Sequence, residues 1–396
     1  MEKFYGPEED TFQMIETLKE IYKNKEIKKS LEIGIGNGQI SKYISTISNN
    51  HTGVDINPFA IEETKKICNK GNYFESNLFE NINDKYDLII FNPPYLPNDK
   101  KLSDNDWIDK AIYGGKKGNE LIIKFLKKLP KYLNEEGTCL LLFSKLSKPE
   151  EILELVNNLF LNHELVSTKS YMMEELYIYE ISKNKTRTKL ESKNYQDIKF
   201  FAKGSHGKVF TAKKDDQLFG IKILNEKSAA KEAIQKEAEK LQFVNKLNIG
   251  PKFIEFNKEL NYLIYEFVEG EPWQKTYSKF TIQEIKEVIL DVLDQAYRMD
   301  KAGFEKKEMQ RPNKNLLITK NKKPILIDFE RGILTDKPSN VTQFLQYLTN
   351  SKFSLYIKEK GIKFERNKII KLGLEYKNNF NIANVKEYVE QKFNKT

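Results

Sequence analysis

The sequence predicts two α/β-containing domains, a doubly wound parallel sheet in the first half and a small sheet followed by a helical lobe in the second. Its 396 residues exceed the roughly 100–200 of one ordinary domain. Short apolar runs alternate with helical patterns as far as residue 182, and the stretch 183–197, KNKTRTKLESKNYQD, then has almost no apolar residues and no period. In chain order, 30–35, 52–56, 86–91 and 138–143 read as buried strands, 120–133 as a helix and 175–181 as a further strand. Residues 183–197 read as a linker between a domain at 1–182 and another at 198–396. Beyond it, 200–212 and 218–224 read as paired strands, 229–247 as a helix and 262–268 as a strand. Helical patterns dominate from 282, and the tail 340–396, with Leu, Phe, Tyr and Ile at helical spacing, completes the helical lobe.

Composition narrows the classes. With 39% hydrophobic and 31% charged residues, and no apolar run near the ~20 needed to cross a bilayer, a membrane protein is excluded. The acidic start, MEKFYGPEED, lacks the features of a secretory signal, so a cytoplasmic location is expected. Two cysteines, Cys68 and Cys139, are too few for a disulfide scaffold or a cysteine zinc site and are expected to be buried. The net charge of +9 is uneven: residues 1–182 hold 23 basic and 29 acidic groups, the rest 43 and 28. Only five of the 66 basic residues are arginine. A solvated lysine surface explains this better than a nucleic-acid patch, because phosphate recognition usually recruits arginine as well.

The stretch Leu31-Glu-Ile-Gly-Ile-Gly-Asn-Gly-Gln-Ile40 puts Glu32 on a strand and Gly34, Gly36 and Gly38 in the turn after it. Glycines there let the backbone approach a nucleoside closely, and the E-x-G-x-G-x-G spacing suits a phosphate-free sulfonium nucleoside such as S-adenosylmethionine better than a dinucleotide. Asp55, about 20 residues on at the next strand end, is placed to hold two ribose hydroxyls. The later strand runs into Asn92-Pro93-Pro94-Tyr95, and two prolines force the chain out at the carboxyl edge of the sheet, where α/β sites lie. The Asn92 side-chain oxygen and the Pro93 carbonyl are two acceptors for both hydrogens of a planar –NH2 group, and Tyr95 can pack on its face. Holding both hydrogens favours the geometry in which the nitrogen lone pair turns toward the methyl donor.

At these residues the first half resembles the HemK-like N-methyltransferases, in the short archaeal and eukaryotic branch. The matching stretches are Tyr5-Gly-Pro-Glu-Glu-Asp10-Thr-Phe12, the glycine turn, Asn77-Leu78-Phe79, FNPPYLP and Gly114-Gly115-Lys-Lys-Gly118. The resemblance implies a Rossmann-like class I methyltransferase fold and methylation of a glutamine in a peptide chain release factor, often with a small zinc-binding activator protein as partner. It also implies adenine contact at Asn77, where aspartate is usual. The Asn-Pro-Pro-Tyr motif alone also admits adenine or guanine amino methylation of nucleic acid, with the basic second half holding RNA.

In the second half, Gly204 and Gly207 sit in a turn between strands, Lys222 ends the third strand, Glu237 lies on the following helix, 265–268 is hinge-like, and Asp328 follows a buried strand in Leu326-Ile-Asp-Phe-Glu-Arg-Gly332. This order resembles the protein-kinase frame, in the RIO-like lineage of atypical kinases, and implies a bilobal α+β fold binding ATP with Mg²⁺. Lys222 and Glu237 would pair, Asp328 and Asn315, or else Asn313, would hold the metal, and Glu308 would accept a hydroxyl proton. Where that lineage has His-Gly-Glu or His-Gly-Asp, this chain has Lys306-Lys307-Glu308. Phosphotransfer and a non-catalytic, ATP-binding pseudokinase therefore both remain open. His206, in the glycine turn, is expected to be a plain surface residue.

Overall fold

The computed structural model describes residues 8–23, 25–98, 107–171, 174–204, 207–224 and 232–394. Tyr5, Gly6, Pro7 and His206, singled out above, lie outside the described residues. The chain divides into two compact units, Met1–Tyr195 and Gln196–Thr396.

The first unit runs α1 (Glu9–Tyr22), β1 (Ile27–Ile33), α2 (Gln39–Ile47), β2 (Ser48–Asp55), α3 (Pro58–Ile67), β3 (Asn72–Glu75) and β4 (Tyr86–Phe91). It continues with β5 (Leu96–Pro97), α4 (Trp107–Ile112), β6 (Tyr113–Gly115), α5 (Glu120–Tyr132), β7 (Leu133–Ser144), α6 (Pro149–Asn158), β8 (Leu161–Tyr171), β9 (Glu174–Lys183) and α7 (Lys185–Ser192). Among the described residues the main sheet has seven strands in the order β3-β2-β1-β4-β7-β9-β8. Pairing is parallel from β3 to β7 and antiparallel at β7–β9 and β9–β8. The expected doubly wound sheet is therefore present, with an antiparallel pair at one edge.

Strand periodicity builds a core on each face. Leu88, Ile90, Leu140 and Leu142 pack with Met14, Leu18 and Ile44 of α1 and α2, whereas Ile89, Phe91, Cys139 and Leu141 pack with Phe125, Leu126 and Leu129 of α5. Both cysteines are free thiols and buried. Strand order reverses between β1 and β4, and the register sets Glu32 opposite both Gly53 and Ile90. The carboxyl ends of β1, β2 and β4 thus open at one edge, the crevice where ligands bind in such sheets.

The stretch 183–197, expected as a linker, is instead folded. Lys183 closes β9, Asn184 caps α7 by accepting from the Arg187 amide at 2.8 Å, and β10 begins at Gln196. Arg187 is buried, with Nε 2.7 Å from Glu191 Oε1 and Nη1 donating to the Leu159 carbonyl at 2.6 Å. A short helix with one buried aliphatic residue, Leu190, is held here by a buried guanidinium rather than an apolar stripe, which is why periodicity does not reveal it.

The second unit runs β10 (Gln196–Lys203), β11 (Gly207–Lys214), β12 (Gln217–Leu224), α8 (Ala233–Asn245), β13 (Phe253–Asn257), β14 (Tyr262–Glu266), β15 (Gly270–Pro272), α9 (Trp273–Thr276) and α10 (Ile282–Lys301). Then follow β16 (Phe304–Glu305), β17 (Leu316–Thr319), β18 (Pro324–Leu326), β19 (Ile333–Leu334), α11 (Asn340–Thr349), α12 (Lys352–Glu359), α13 (Arg366–Asn379) and α14 (Ala383–Phe393). Its five-stranded sheet has the order β10-β11-β12-β14-β13 and is antiparallel throughout. The run 200–212 divides into β10 and β11 at the glycine turn expected between two strands, where the Gly204 amide bonds the Gly207 carbonyl at 2.8 Å. The long helix α10 starts with a capping box, Thr281 with Glu284, and buries Ile285, Val288, Ile289, Val292 and Ala296 on one stripe. The tail supplies α11 to α14, whose buried residues join that core, as the helical spacing predicts.

Candidate functional sites

Beyond β1 the chain turns through Gly34, Gly36 and Gly38, with φ of 73°, 50° and 76°, a region that suits residues without a β-carbon. A cavity of about 160 Å³ opens above this turn, lined among others by Glu32, Gly34, Gly36, Asp55, Asn77 and Asn92. Gly38 does not line it, contrary to expectation. It caps α2, where an added Cβ would lie 2.6 Å from Thr64 Oγ1, so its role is close packing against α3.

Asp55 ends β2 with Oδ2 accepting from the Gly36 amide at 3.0 Å and Oδ1 from the Asn57 amide at 2.9 Å. Burial pushes its carboxyl up from the ordinary value, and the amides of Asn57, Gly36 and Ile56 pull it part of the way back. The glycine turn is thereby tied to the carboxylate expected to hold the ribose. Replacing Asp55 by alanine should weaken S-adenosylmethionine binding by about 1.5–3 kcal/mol, on the order of tenfold to a hundredfold. Calorimetry on the folded variant checks this, and unchanged affinity would remove Asp55 from the site.

Glu32 is fully buried, with Oε2 accepting from Ser41 Oγ at 2.5 Å and Oε1 left without a partner. Burial raises its carboxyl to about 8, and burial likewise lowers His51 to about 4. His51 Nε2 lies 3.9 Å from Glu32 Oε2, yet both shifts favour the neutral forms, so at neutral pH this is a hydrogen-bonded network through Ser41 rather than an ion pair. A buried carboxyl oxygen with no partner, on a residue that lines the cavity, fits a ligand that brings its own hydrogen-bond donors, as S-adenosylmethionine does. Asn77 lines the cavity wall with its amide nitrogen 3.1 Å from Glu80 Oε1.

Asn92 lies just beyond β4, and its Nδ2 donates to Asp10 Oδ2 at 3.1 Å. Its Oδ1 is buried with no partner. Pro93 and Pro94 line the donor cavity, whereas Tyr95 lines a second cavity of about 120 Å³ beside it, with Glu9, Asp10, Tyr171 and Glu174. Asp10 borders both cavities. The loop is braced from behind: an added Cβ on Gly114 would meet the Pro94 carbonyl at 2.4 Å, one on Gly118 the Tyr95 carbonyl at 2.3 Å, and Ser147 Oγ donates to that same carbonyl at 2.9 Å. Sequence reasoning placed Asp10 only within a matching stretch and missed Ser147, whose contact spans 52 residues.

In the second unit Lys222, on β12, lies 2.5 Å from Glu237 of α8 and 3.5 Å from Glu330. Burial works against its charge, but the carboxylates of Glu237, Asp328 and Glu330 outweigh this and raise the ammonium above its ordinary value. An added Cβ on Gly207 would lie 2.6 Å from the Ile223 carbonyl, so β11 starts in close contact with β12, the strand that bears Lys222. Asp328 is exposed, with φ 61°. Its carbonyl accepts from Lys306 Nζ at 2.8 Å, and burial lowers that ammonium to about 8.

Glu308 is not a free carboxylate: Arg331 Nη1 lies 2.5 Å from its Oε1, and Asn315 Nδ2 stands 3.5 Å from its Oε2. Asn313, the alternative metal ligand, is turned away, with Oδ1 accepting from Tyr347 at 2.9 Å. Among the described residues no group of three or more His, Cys, Asp or Glu side chains could hold a metal ion. The loop is also shaped by Asp300 and Asn340. The Lys306 amide donates to Asn340 Oδ1 at 2.8 Å, and buried Asp300 accepts from the Asn340 and Val341 amides, from Asn340 Nδ2 and from the Tyr376 hydroxyl.

The sequence model of the methyltransferase small domain matches residues 11–173. A Methanocaldococcus jannaschii protein bearing the name of a protein N5-glutamine methyltransferase is 35% identical over 179 residues, 44% of this chain and 89% of that protein. Human methyltransferase HEMK2 is 27% identical over 192 residues, 46% of this chain and 90% of that protein. Among solved structures, the E. cuniculi Mtq2–Trm112 complex, described as methylating the eRF1 translation termination factor, aligns at 26% identity with a TM-score of 0.39, covering 46% of this chain and 100% of that one.

Proposed function

This chain belongs to the protein N5-glutamine methyltransferases, enzymes that use S-adenosylmethionine, and from that premise we propose that the glutamine it modifies lies in a peptide chain release factor. The observation that carries this is the buried, partnerless Oδ1 of Asn92, a residue that lines the donor cavity and is bonded to Asp10, which borders both that cavity and the Tyr95 cavity. When bound, S-adenosylmethionine supplies an electrophilic methyl group on a sulfonium. Asn92 Oδ1 and the Pro93 carbonyl accept the two hydrogens of the glutamine amide, and Tyr95 flanks its plane. An amide lone pair is a poor nucleophile, so aligning it in a water-poor pocket does the work; as the nitrogen gains the methyl group the sulfur–methyl bond breaks to leave a thioether, and the nitrogen gives up one proton to solvent. Mass spectrometry of purified release factor, tRNA and rRNA after incubation with labelled donor tests this. A methylated release-factor glutamine is expected, and label in RNA alone would replace it with amino methylation of nucleic acid. The resemblance extends the proposal to a small zinc-binding partner, which should co-purify with the chain.

The second unit, in the same proposal, is a kinase-like module that binds ATP with Mg²⁺. What supports this is the charged Lys222 held by Glu237, on the strand next to the one that Gly207 opens. Asp328 and Asn315 do not make a metal cage by themselves, which suits Mg²⁺, an ion that usually arrives with phosphate oxygens and water as its other ligands. On the full chain, millimolar Mg-ATP should raise the melting temperature and Asp328→Ala should abolish the rise. Label from γ-labelled ATP lost in Glu308→Gln would identify a working kinase, and a shift without label a pseudokinase. No shift at all would end the nucleotide-site reading.

A further inference from the structure

Asp10 forms a hydrogen bond to the residue whose orientation the methyl transfer depends on. Asp10 is buried, its Oδ1 accepts from the Thr11 amide at 2.6 Å and from the Thr11 hydroxyl at 3.3 Å, and its Oδ2 accepts from Asn92 Nδ2 at 3.1 Å. An ionised carboxylate only accepts, so it can face the nitrogen end of a neighbouring amide and not the oxygen end. The opposite rotamer of Asn92 would set its oxygen against the carboxylate oxygen Oδ2 of Asp10 and point its –NH2 at the acceptor site. There it would meet the –NH2 of the substrate, donor against donor.

We infer that Asp10 is a positioning residue that locks the Asn92 amide with its oxygen toward the substrate, an inference that rests on the glutamine-methylation reading of this site. The consequence is unusual for an isosteric change. In Asp10→Asn the new amide oxygen is claimed by the Thr11 amide and hydroxyl, both donors, so the new –NH2 falls where Oδ2 now faces Asn92. Asn92 must then flip to offer its oxygen to that –NH2, and the acceptor site is lined by a donor. Asp10→Ala, by contrast, leaves Asn92 unpinned but free to sample the productive rotamer.

The test compares kcat, acceptor KM and donor affinity for release factor methylation in Asp10→Asn, Asp10→Ala, Asn92→Ala and the double variant Asp10→Asn/Asn92→Ala. Asp10→Asn should lower kcat roughly a hundredfold and Asp10→Ala roughly tenfold, with donor affinity by calorimetry within about threefold of the parent. In the Asn92→Ala background Asp10→Asn should change kcat less than about twofold, because nothing is left to orient. A merely structural residue would give the opposite order, with the isosteric variant milder, and would lose activity in both backgrounds. That order, or a fall in donor affinity that accounts for the whole loss, overturns the inference. If Asn92→Ala is impaired while both Asp10 variants match the parent, only the role of Asp10 fails. If Asn92→Ala is itself fully active, the amide-alignment reading fails with it.

Discussion

Asn92→Ala is expected to lower release factor methylation by on the order of a hundredfold to a thousandfold while S-adenosylmethionine binds nearly as before. On the proposed reading the lost atom is the acceptor for the reacting amide, and the donor would be held elsewhere, by the glycine turn and Asp55. The loss should therefore appear in single-turnover rates and not in calorimetric donor affinity. Equal turnover in variant and parent would show that the partnerless Oδ1 is not an acceptor for the substrate.

The second large effect is on stability. Asp300 is buried and gathers the Asn340 amide, the Asn340 side chain, the Val341 amide and the Tyr376 hydroxyl. Alanine there strands several buried donors at once, and about 3–5 kcal/mol should be lost from the second unit. Denaturant unfolding of the full chain should show one transition moving to lower concentration while that of the first unit stays in place. A shift of both, or of neither, would contradict the accounting. Because Asn340 also receives the Lys306 amide, Mg-ATP stabilisation should weaken in the same variant.

What the sequence made legible was whatever local chemistry or periodicity carries. Glu32, Gly34, Gly36, Asp55 and Asn92 sit at strand ends, the sheet order brings strand ends together, and all five line the same cavity. Lys222 and Glu237 are paired as their order implied. What remained hidden depends on partners distant in the chain: Asp10 on Asn92, Ser147 on the Tyr95 carbonyl, Asp300 on Asn340. The helix α7 was hidden differently. Its polar sequence has no periodic apolar face, and its anchorage is one buried arginine reaching the Leu159 carbonyl. Gly38 looked like its two neighbours in the motif, and only the approach of α3 distinguishes it.

Lys307 and Glu308 both have left-handed backbones, with φ of 65° and 63°. A glycine would adopt such angles freely. A side chain with a β-carbon costs roughly 1 kcal/mol more there, so the surrounding contacts must hold the bend against its own preference. Such a loop has few other shapes available to it. Lys307→Gly should relax this bend and loosen the placement of Glu308, which Arg331 and Asn315 otherwise hold.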